Sequence, residues 1–526
     1  MFAMNFDFIG GSVGKVVGDK LMAAATLAKR KNLSLITVYS TGGMRQQENF
    51  EALAQMARGV EAIEDFKENC NQPHIAVLLG QVWGGTSAST VPLADCRVGV
   101  KGSNFGFAGP NVIAGFQGKQ PPAGSQSVEA NYLNRYVDVM VNKAELPAYI
   151  SKLIKVSTVD KAEVKRCSKL SPEELQQEWD KKHPLHSPRN IVIKQEGIAP
   201  ALFESQIKET DHGAEVYEFP SYQKANTINP SEEDLFENYE KITKDPARID
   251  GEYILENMFD EVVPLYNHYV RGNTIVYPPL ISAIGKMDGQ PYLFVANQPS
   301  YTVKKYTRPG KDDEIRIVKH LSTPRPEDYE HFTSLMEMAK RRNLPVITFV
   351  DTLGAAPTIE SERRGQSNQI ARAIQAIRNH DKPVISVVTG GLGSGGGMAI
   401  TNISPEFLAL DDAQIWVAEP KSASSILHKI AQPTVEMVKH MLKEMKCTPF
   451  DIKKLGYPLR IIKSEEDLRN TIRNIRFAVL QSYQRQNGYG ETKLHKLRTR
   501  IYRSMGKKAI KISQDQTVSK GGYISD

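Results

Sequence analysis

Residues 28–43 read AKRKNLSLITVYSTGG, and residues 339–354 read AKRRNLPVITFVDTLG. The two stretches lie 311 positions apart without a gap, and nine of their sixteen positions are identical. A match of this kind at so large a separation marks a duplication of whole domains, not a short-period repeat array. LSLITVYS and LPVITFVD are apolar runs rich in β-branched residues, with polar residues before them and glycine after. That pattern predicts a buried strand ending in a turn.

A second pair of segments supports the first. HIAVLLGQVWGGTSAS occupies 74–89, and PVISVVTGGLGSGGGMAI occupies 383–400. Gly43 and Gly84 are 41 residues apart, as are Gly354 and Gly395, so equal spacing pairs Gly84-Gly85 with Gly395-Gly396. Helical spacing of apolar residues predicts helices over Asn49 to Glu64 and Ser367 to Arg378. Further helix starts are expected at Thr86 to Leu93 and from Met398 onward. Each copy then reads strand, turn, helix, strand, glycine turn, helix, the order of a layered α/β domain.

Outward from these copies the chain is ordinary. It has 526 residues, 67 Lys+Arg against 60 Asp+Glu, a net charge of +7, 40% hydrophobic residues and 24% charged residues. This excludes wholesale disorder and allows several domains. No apolar run is long enough for a transmembrane helix, and the N-terminus lacks the signature of a secretory signal, so the cytoplasm is the default compartment and no membrane partner is expected. Cys70, Cys96, Cys167 and Cys447 form no C-x-x-C pair, so neither a zinc ribbon nor a disulfide framework is expected. The domain reading is 1–155 for the first copy, 156–250 for a charged helical linker, and 251–526 for the second copy with a basic C-terminal tail. PPLISAIGKM and QPYLFVANQ, joined by Asp288-Gly289, predict a hairpin opening the second copy.

The glycine turns are the candidate site. A Gly-Gly turn feeding a helix lets backbone N–H groups approach an oxygen closely, either a phosphate or a developing oxyanion. The structural alternative is tight packing between strand and helix. No Walker A run is present, and the G-x-G-x-x-G look-alike at Gly391, Gly393 and Gly396 lacks an acidic ribose partner. Ser87, Ser89 and Ser394 sit in the turns with no histidine placed by the pattern, so capping is favoured over a nucleophile. Arg45, just past Gly42-Gly43, is suited either to an anionic ligand or to bracing the turn. Arg363 and Arg364, in ESERRGQ, face the same two readings, with bracing favoured. The tail from Lys493 to Lys511 is read as a solvated helix packing on a partner subunit, with RNA contact as the rival.

At these residues the sequence resembles the carboxyltransferase component of biotin-dependent acyl-CoA carboxylases. FIGGSVGKVVG (8–18), STGGMRQQE (40–48), WGGTSAS (83–89) and FGFAGPNVI (105–113) resemble the beta subunit of bacterial acetyl-CoA carboxylase carboxyltransferase. ITFVDTLGAAP (347–357), SERRGQSNQIARAI (361–374), GSGGGMAI (393–400) and RTRIYRSMG (498–506) resemble the alpha subunit. The beta-like family's zinc ribbon and opening strands have no counterpart, so the resemblance implies a shortened first domain or a further chain that supplies the missing segment.

The resemblance implies an α/β protein of two crotonase-like (ClpP-like) domains in tandem. It implies transfer of a carboxyl group from carboxybiotin to a short acyl-CoA, with acetyl-CoA to malonyl-CoA the leading case. Gly84 and Gly85 inherit the hold on an enolate, Gly395 and Gly396 that on the biotin ureido carbonyl, and Gly42, Gly43, Arg45 and Gly354 line the substrate site. Biotin would arrive on a separate biotin carboxyl carrier protein, with biotin carboxylase as a further partner and no bound metal. A homodimer or higher oligomer is implied, with sites formed across a dimer interface. The rivals are a biotin-dependent acyl-CoA or malonyl-thioester decarboxylase subunit and a non-catalytic scaffold subunit of the same fold.

Overall fold

The computed structural model describes residues 1–157, 161–182, 230–244, 248–266, 269–271, 274–298, 303–307, 314–319, 323–428, 430, 432–490 and 493–505. Two compact units are present, Met1–Tyr149 with Gln223–Asp526, and Ile150–Tyr222. The smaller unit, which overlaps the expected linker from residue 156 onward, contributes helices Lys161–Cys167 and Pro172–Lys182, with Arg166 paired to Glu163 and Glu178. Among the described residues no helix is long and apolar enough to cross a membrane.

The larger unit holds both copies. In the first, strands β1 (Phe2–Ala3), β2 (Leu35–Thr41), β3 (His74–Trp83), β4 (Cys96–Val100) and β6 (Val139–Val141) lie side by side in that order. Strand β5 (Asn104–Gly106) pairs with the end of β3. In the second, β7 (Glu261–Tyr266) precedes a separate four-stranded sheet formed by β8 (Tyr269–Arg271), β9 (Thr274–Tyr277), β12 (Val303–Thr307) and β13 (Glu314–Lys319). The main sheet adds β10 (Leu280–Met287), β11 (Gln290–Asn297), β14 (Val346–Thr352), β15 (Val384–Gly393), β16 (Phe407–Leu410), β17 (Gln414–Trp416) and β18 (Leu459–Ile462). Its order is β18-β16-β15-β14-β11-β10-β7, with β17 on the end of β15.

The connectivity of the two sheets is the same. β11, β14, β15, β16, β17 and β18 repeat β1 to β6, every shared pairing is parallel, and β10 and β7 are an antiparallel extension of the second sheet. The tandem α/β arrangement expected from the repeat is therefore present. β1 is only two residues long where β11 has eight. The predicted hairpin joins β10 to β11 through Asp288 and Gly289, both at positive φ (49° and 78°), as a two-residue hairpin turn requires.

Register corrects the glycine pairing. Leu35 faces His74 and Val346 faces Val384; Thr41 faces Val82 and Thr352 faces Leu392. The first strand of each pair is offset by 311 and the second by 310. Gly85 therefore corresponds to Gly395, and Gly84 to Ser394. Both Gly84 (φ 70°) and Ser394 (φ 51°) are left-handed, which supports this alignment. Equal 41-residue spacing had shifted the pairing by one.

The helices predicted over Asn49 to Glu64 and Ser367 to Arg378 appear as Asn49–Leu53 followed by Gln55–Asn69, and as Gln366–Arg378. Two other expectations change. Thr86 to Ser89 forms turns, not a helix, and the helix after β15 spans only Ser394–Met398. Three consecutive glycines and the absence of long apolar periodicity explain the short helix. The glycine turns therefore act through individual N–H groups, without a long helix behind them.

The copies share one core. Phe50 of the first stacks on Phe407 of the second at 5.8 Å and meets Tyr457 edge-on at 4.8 Å. Asn49 inserts its carboxamide beside β17, donating to Ile415 O (3.0 Å) and accepting from Val417 N (2.7 Å). Arg378 pairs with Glu61 at 3.0 Å in a nearly solvent-free position. The helical segment 493–505 corrects the reading of the basic tail. Arg498 is 1% exposed and donates to Lys382 O at 3.0 Å, and Tyr502 O accepts from Arg58 at 3.1 Å. This segment packs on its own chain; residues 506–511 of the tail lie outside the described residues.

Candidate functional site

Strands β2 and β14 each end in a threonine that fixes a turn. Gly43 N–H donates to Thr41 Oγ1 at 3.0 Å, and Gly354 N–H donates to Thr352 Oγ1 at 3.1 Å. Gly43 (φ 113°) and Gly354 (φ 138°) need glycine at these bends. The turn after β3 approaches the first bend closely: a Cβ on Gly84 would lie 3.1 Å from Gly43 Cα and 3.9 Å from Met44 N. The turn after β15 does the same in the second copy, with Gly354's Cβ position 3.6 Å from Gly393 O.

Both turn pairs open on one cavity of about 410 Å³. Gly42, Gly43, Gly84 and Gly85 line it from the first copy, and Gly354 and Gly395 from the second. Within this chain the cavity lies between its two repeats. One side chain bridges the turns. Met56 places Sδ 3.0 Å from the Cβ position of Gly85 and Cε 3.1 Å from that of Gly395. Trp83, Phe107 and Phe116 make much of the remaining lining apolar.

The backbone donors are distributed differently from the sequence reading. Gly84 N–H donates to Gly106 O at 3.3 Å, and Gly42 N–H to Gly10 O at 2.8 Å. With Gly43 and Gly354 held by threonines, four of the expected glycines contribute shape and not donors. Among the described residues no protein acceptor receives the N–H of Met44, Gly85 or Ala355. Gly395 is the second residue of Ser394–Met398, ahead of any intrahelical acceptor. Each copy therefore offers one pair: Met44 with Gly85, and Ala355 with Gly395. Met44 and Ala355 were missed. They follow Gly43 and Gly354 at the same 311 offset, a signal that the repeat already carried.

Two expected residues stand outside the lining. Gly396 lies beneath Ala355, where a Cβ would land on the Ala355 backbone nitrogen, and its carbonyl accepts from Tyr329 Oη at 3.1 Å. Arg45 donates to Ser12 O (2.9 Å) and Ser12 Oγ (3.1 Å) and pairs with Glu48 at 2.7 Å. It braces the turn, the second of its two readings.

Three groups tighten the site. Ser87 Oγ sits 2.6 Å from Gly84 O and 2.7 Å from Gly106 O, and it receives Ser367 Oγ at 3.2 Å. Glu362, inside the motif SERRGQSNQIARAI, accepts from Phe107 N (2.9 Å), Ala108 N (2.8 Å) and Gln126 Nε2 (3.1 Å). Burial pushes its carboxyl up to about 7, against the pull of those donors. Glu419 is a carboxylate of the lining. Its oxygens are engaged by Tyr239 Oη and by Ser422 N and Oγ (both 2.7 Å). The site can thus hold two partly negative oxygens on opposed backbone donors, in a partly apolar space closed by methionine and aromatic side chains.

Comparison with known proteins agrees with this architecture. Residues 224–506, more than half of the chain, match the family model described as acetyl co-enzyme A carboxylase carboxyltransferase-like, and residues 1–130 match the carboxyl transferase domain model. The beta/alpha subunits of acetyl-coenzyme A carboxylase carboxyl transferase from Saccharopolyspora erythraea are 28% identical over 456 residues, covering 86% of this chain and 67% of that protein. The alpha subunit from Thermus thermophilus is 28% identical over 283 residues, covering 51% of this chain and 85% of its own length. Among solved structures, transcarboxylase 12S is similar at 16% identity with a TM-score of 0.36, covering 92% of this chain and 78% of that one. With more than half of its length matched to one family model, the chain belongs to the acetyl-CoA carboxylase carboxyltransferase-like family.

Proposed function

We propose that this protein transfers a carboxyl group from carboxybiotin to a short acyl-CoA, acetyl-CoA being the leading substrate and malonyl-CoA the product. The observation that carries this reading is one cavity onto which two pairs of unbonded backbone donors open, one from each copy. The reaction has two oxygens that gain negative charge, and the two pairs supply a place for each.

In the first copy, the N–H groups of Met44 and Gly85 would hold the thioester oxygen as it takes on enolate character, the α-proton passing to the biotin ureido nitrogen from which the carboxyl group departs and the enolate carbon taking up that carboxyl group. A preorganised donor of this kind contributes about 2.7–4 kcal/mol to a transition state. In the second copy, Ala355 and Gly395 present a matching pair, and an acceptor oxygen such as a ureido carbonyl fits it. Carboxybiotin, carried on a separate biotin carboxyl carrier protein, supplies the activated carboxyl group when bound. Trp83, Phe107 and Met56 exclude water from the space between, which strengthens each donor and protects a reactive anion from protonation. Glu419 is held by Tyr239 and Ser422 and is assigned the role of shaping the cavity wall. Biotin carboxylase, as the source of carboxybiotin, and assembly into a homodimer or higher oligomer belong to the same proposal.

The test is the reverse reaction. Purified protein, malonyl-CoA and free biotin or biocytin should release acetyl-CoA at a rate that depends on biotin. A folded chain with no biotin-dependent release removes this reading.

A further inference from the structure

Glu362 does not line the cavity, yet it reaches from the second copy into the wall of the first. It sits on the helix Ile359–Arg363, and both of its oxygens accept backbone N–H groups 254 and 255 residues away. Those groups belong to Phe107 and Ala108, which do line the cavity. The carbonyl of the preceding residue, Gly106, receives Gly84 N–H at 3.3 Å and lies 2.7 Å from Ser87 Oγ. One carboxylate is thus two short links from the turn that carries Gly85. Gln126, also bonded to Glu362, ties the same strand end through Ala108 O at 2.7 Å.

We propose that Glu362 is a positioning residue. It fixes the Phe107–Ala108 wall, and through Gly106 the Gly84–Gly85 turn, so that the first copy's donor pair is correctly placed only when the second copy is docked. This inference rests on the carboxyltransferase reading above. Its physical basis is the donor count. A carboxylate offers acceptor oxygens to both backbone N–H groups, whereas glutamine offers one oxygen and turns an N–H₂ group toward the other donor. Loss of a hydrogen bond to a charged group inside the protein frees that part of the wall.

The experiment uses the full chain with Glu362→Gln, and Glu362→Asp as the charge-retaining second variant, at alkaline pH where Glu362 is ionised. Two quantities are read: amide exchange at Phe107 and Ala108, and biotin-dependent malonyl-CoA turnover. In Glu362→Gln, exchange should quicken about tenfold at whichever of the two amides faces the new N–H₂ group. The kcat should fall about 100-fold, the effect of a small misplacement, with KM for malonyl-CoA within about threefold. Glu362→Asp should fall between wild type and Glu362→Gln on both readouts. Faster exchange with unchanged kcat would reduce Glu362 to a structural tie and overturn the proposal, as would unchanged exchange or an effect confined to KM. A wild-type chain without biotin-dependent turnover overturns the carboxyltransferase reading itself. A working wild type matched by both variants overturns only the role of Glu362.

Discussion

The turn after β3 and the turn after β15 descend from one sequence pattern and differ in what they tolerate. Gly85 and Gly395 face side chains: their Cβ positions meet Met44 and Met56 in the first copy and Met56 in the second, all flexible. The neighbouring positions differ. Gly84 is left-handed glycine against Gly43 Cα, while its counterpart Ser394 carries a side chain at φ 51°. Gly396 is sealed against the Ala355 backbone, while its counterpart Thr86 already has a side chain. The shared residues therefore mark the donor pairs, and the unshared ones mark how each copy packs around them.

The comparison breaks most sharply at the shared pair. Gly85→Val and Gly395→Val are each predicted to cut biotin-dependent turnover about 100- to 1,000-fold, because the valine side chain blocks close approach to that N–H, an effect as large as losing one preorganised donor, with a smaller fall in the thermal midpoint than Gly396→Val. If only one variant loses activity in the malonyl-CoA assay, the two turns are not functionally parallel. Gly396→Val comes next. The sequence alone suggests a clean loss of activity there, but the structure predicts a packing failure of about 3 kcal/mol, read as a fall in Tm. An unshifted Tm would show that Ala355 is not held against this position.

A pH difference between the copies follows. His74 opens β3 where Val384 opens β15. Burial, aided by Lys67, lowers His74 to about 3 from an ordinary value of 6.5, and its Nε2 meets Thr37 Oγ1 at 3.0 Å. Between those values the unfolded chain binds a proton that the native chain does not, so stability falls as pH falls below 6.5. At pH 5 the loss amounts to about 2 kcal/mol. His74→Val, which copies the second half, should flatten that part of the pH dependence in urea unfolding; an unchanged slope would assign it to other groups. The smallest effect is expected at the left-handed pair. Gly84→Ala should cost about 1–2 kcal/mol, and Ser394→Gly should change stability by less than about 1 kcal/mol, both read from urea midpoints. Equal costs would undo the alignment of Gly84 with Ser394.

Much of the fold was legible because the repeat was. LSLITVYS and LPVITFVD became β2 and β14, the predicted hairpin turn joined β10 to β11, and Asn49 and Gln366 lie at the starts of helices close to those predicted. The site was legible at Gly85 and Gly395 and misjudged around them. Gly84 offered its N–H to Gly106 O, a partner 22 residues away that local spacing does not reveal. Arg45 was drawn to Ser12 and Glu48 by charge and proximity across the turn. Met56 carried no local mark, since a methionine in an amphipathic helix looks like core, and Glu362 lay inside SERRGQSNQIARAI with nothing local to say that it reaches into the first copy.

The sequence by itself determined the duplication, the strand–turn–helix order of each copy and the identity of the glycine turns, because periodicity and backbone freedom are local properties of neighbouring residues. Only the tertiary structure decided which N–H groups remain without a partner, which glycines contribute shape instead of donors, and that both copies face one cavity. Those outcomes depend on hydrogen bonds between residues up to hundreds of positions apart, and each donor's state is fixed by whichever acceptor the folded chain brings to it.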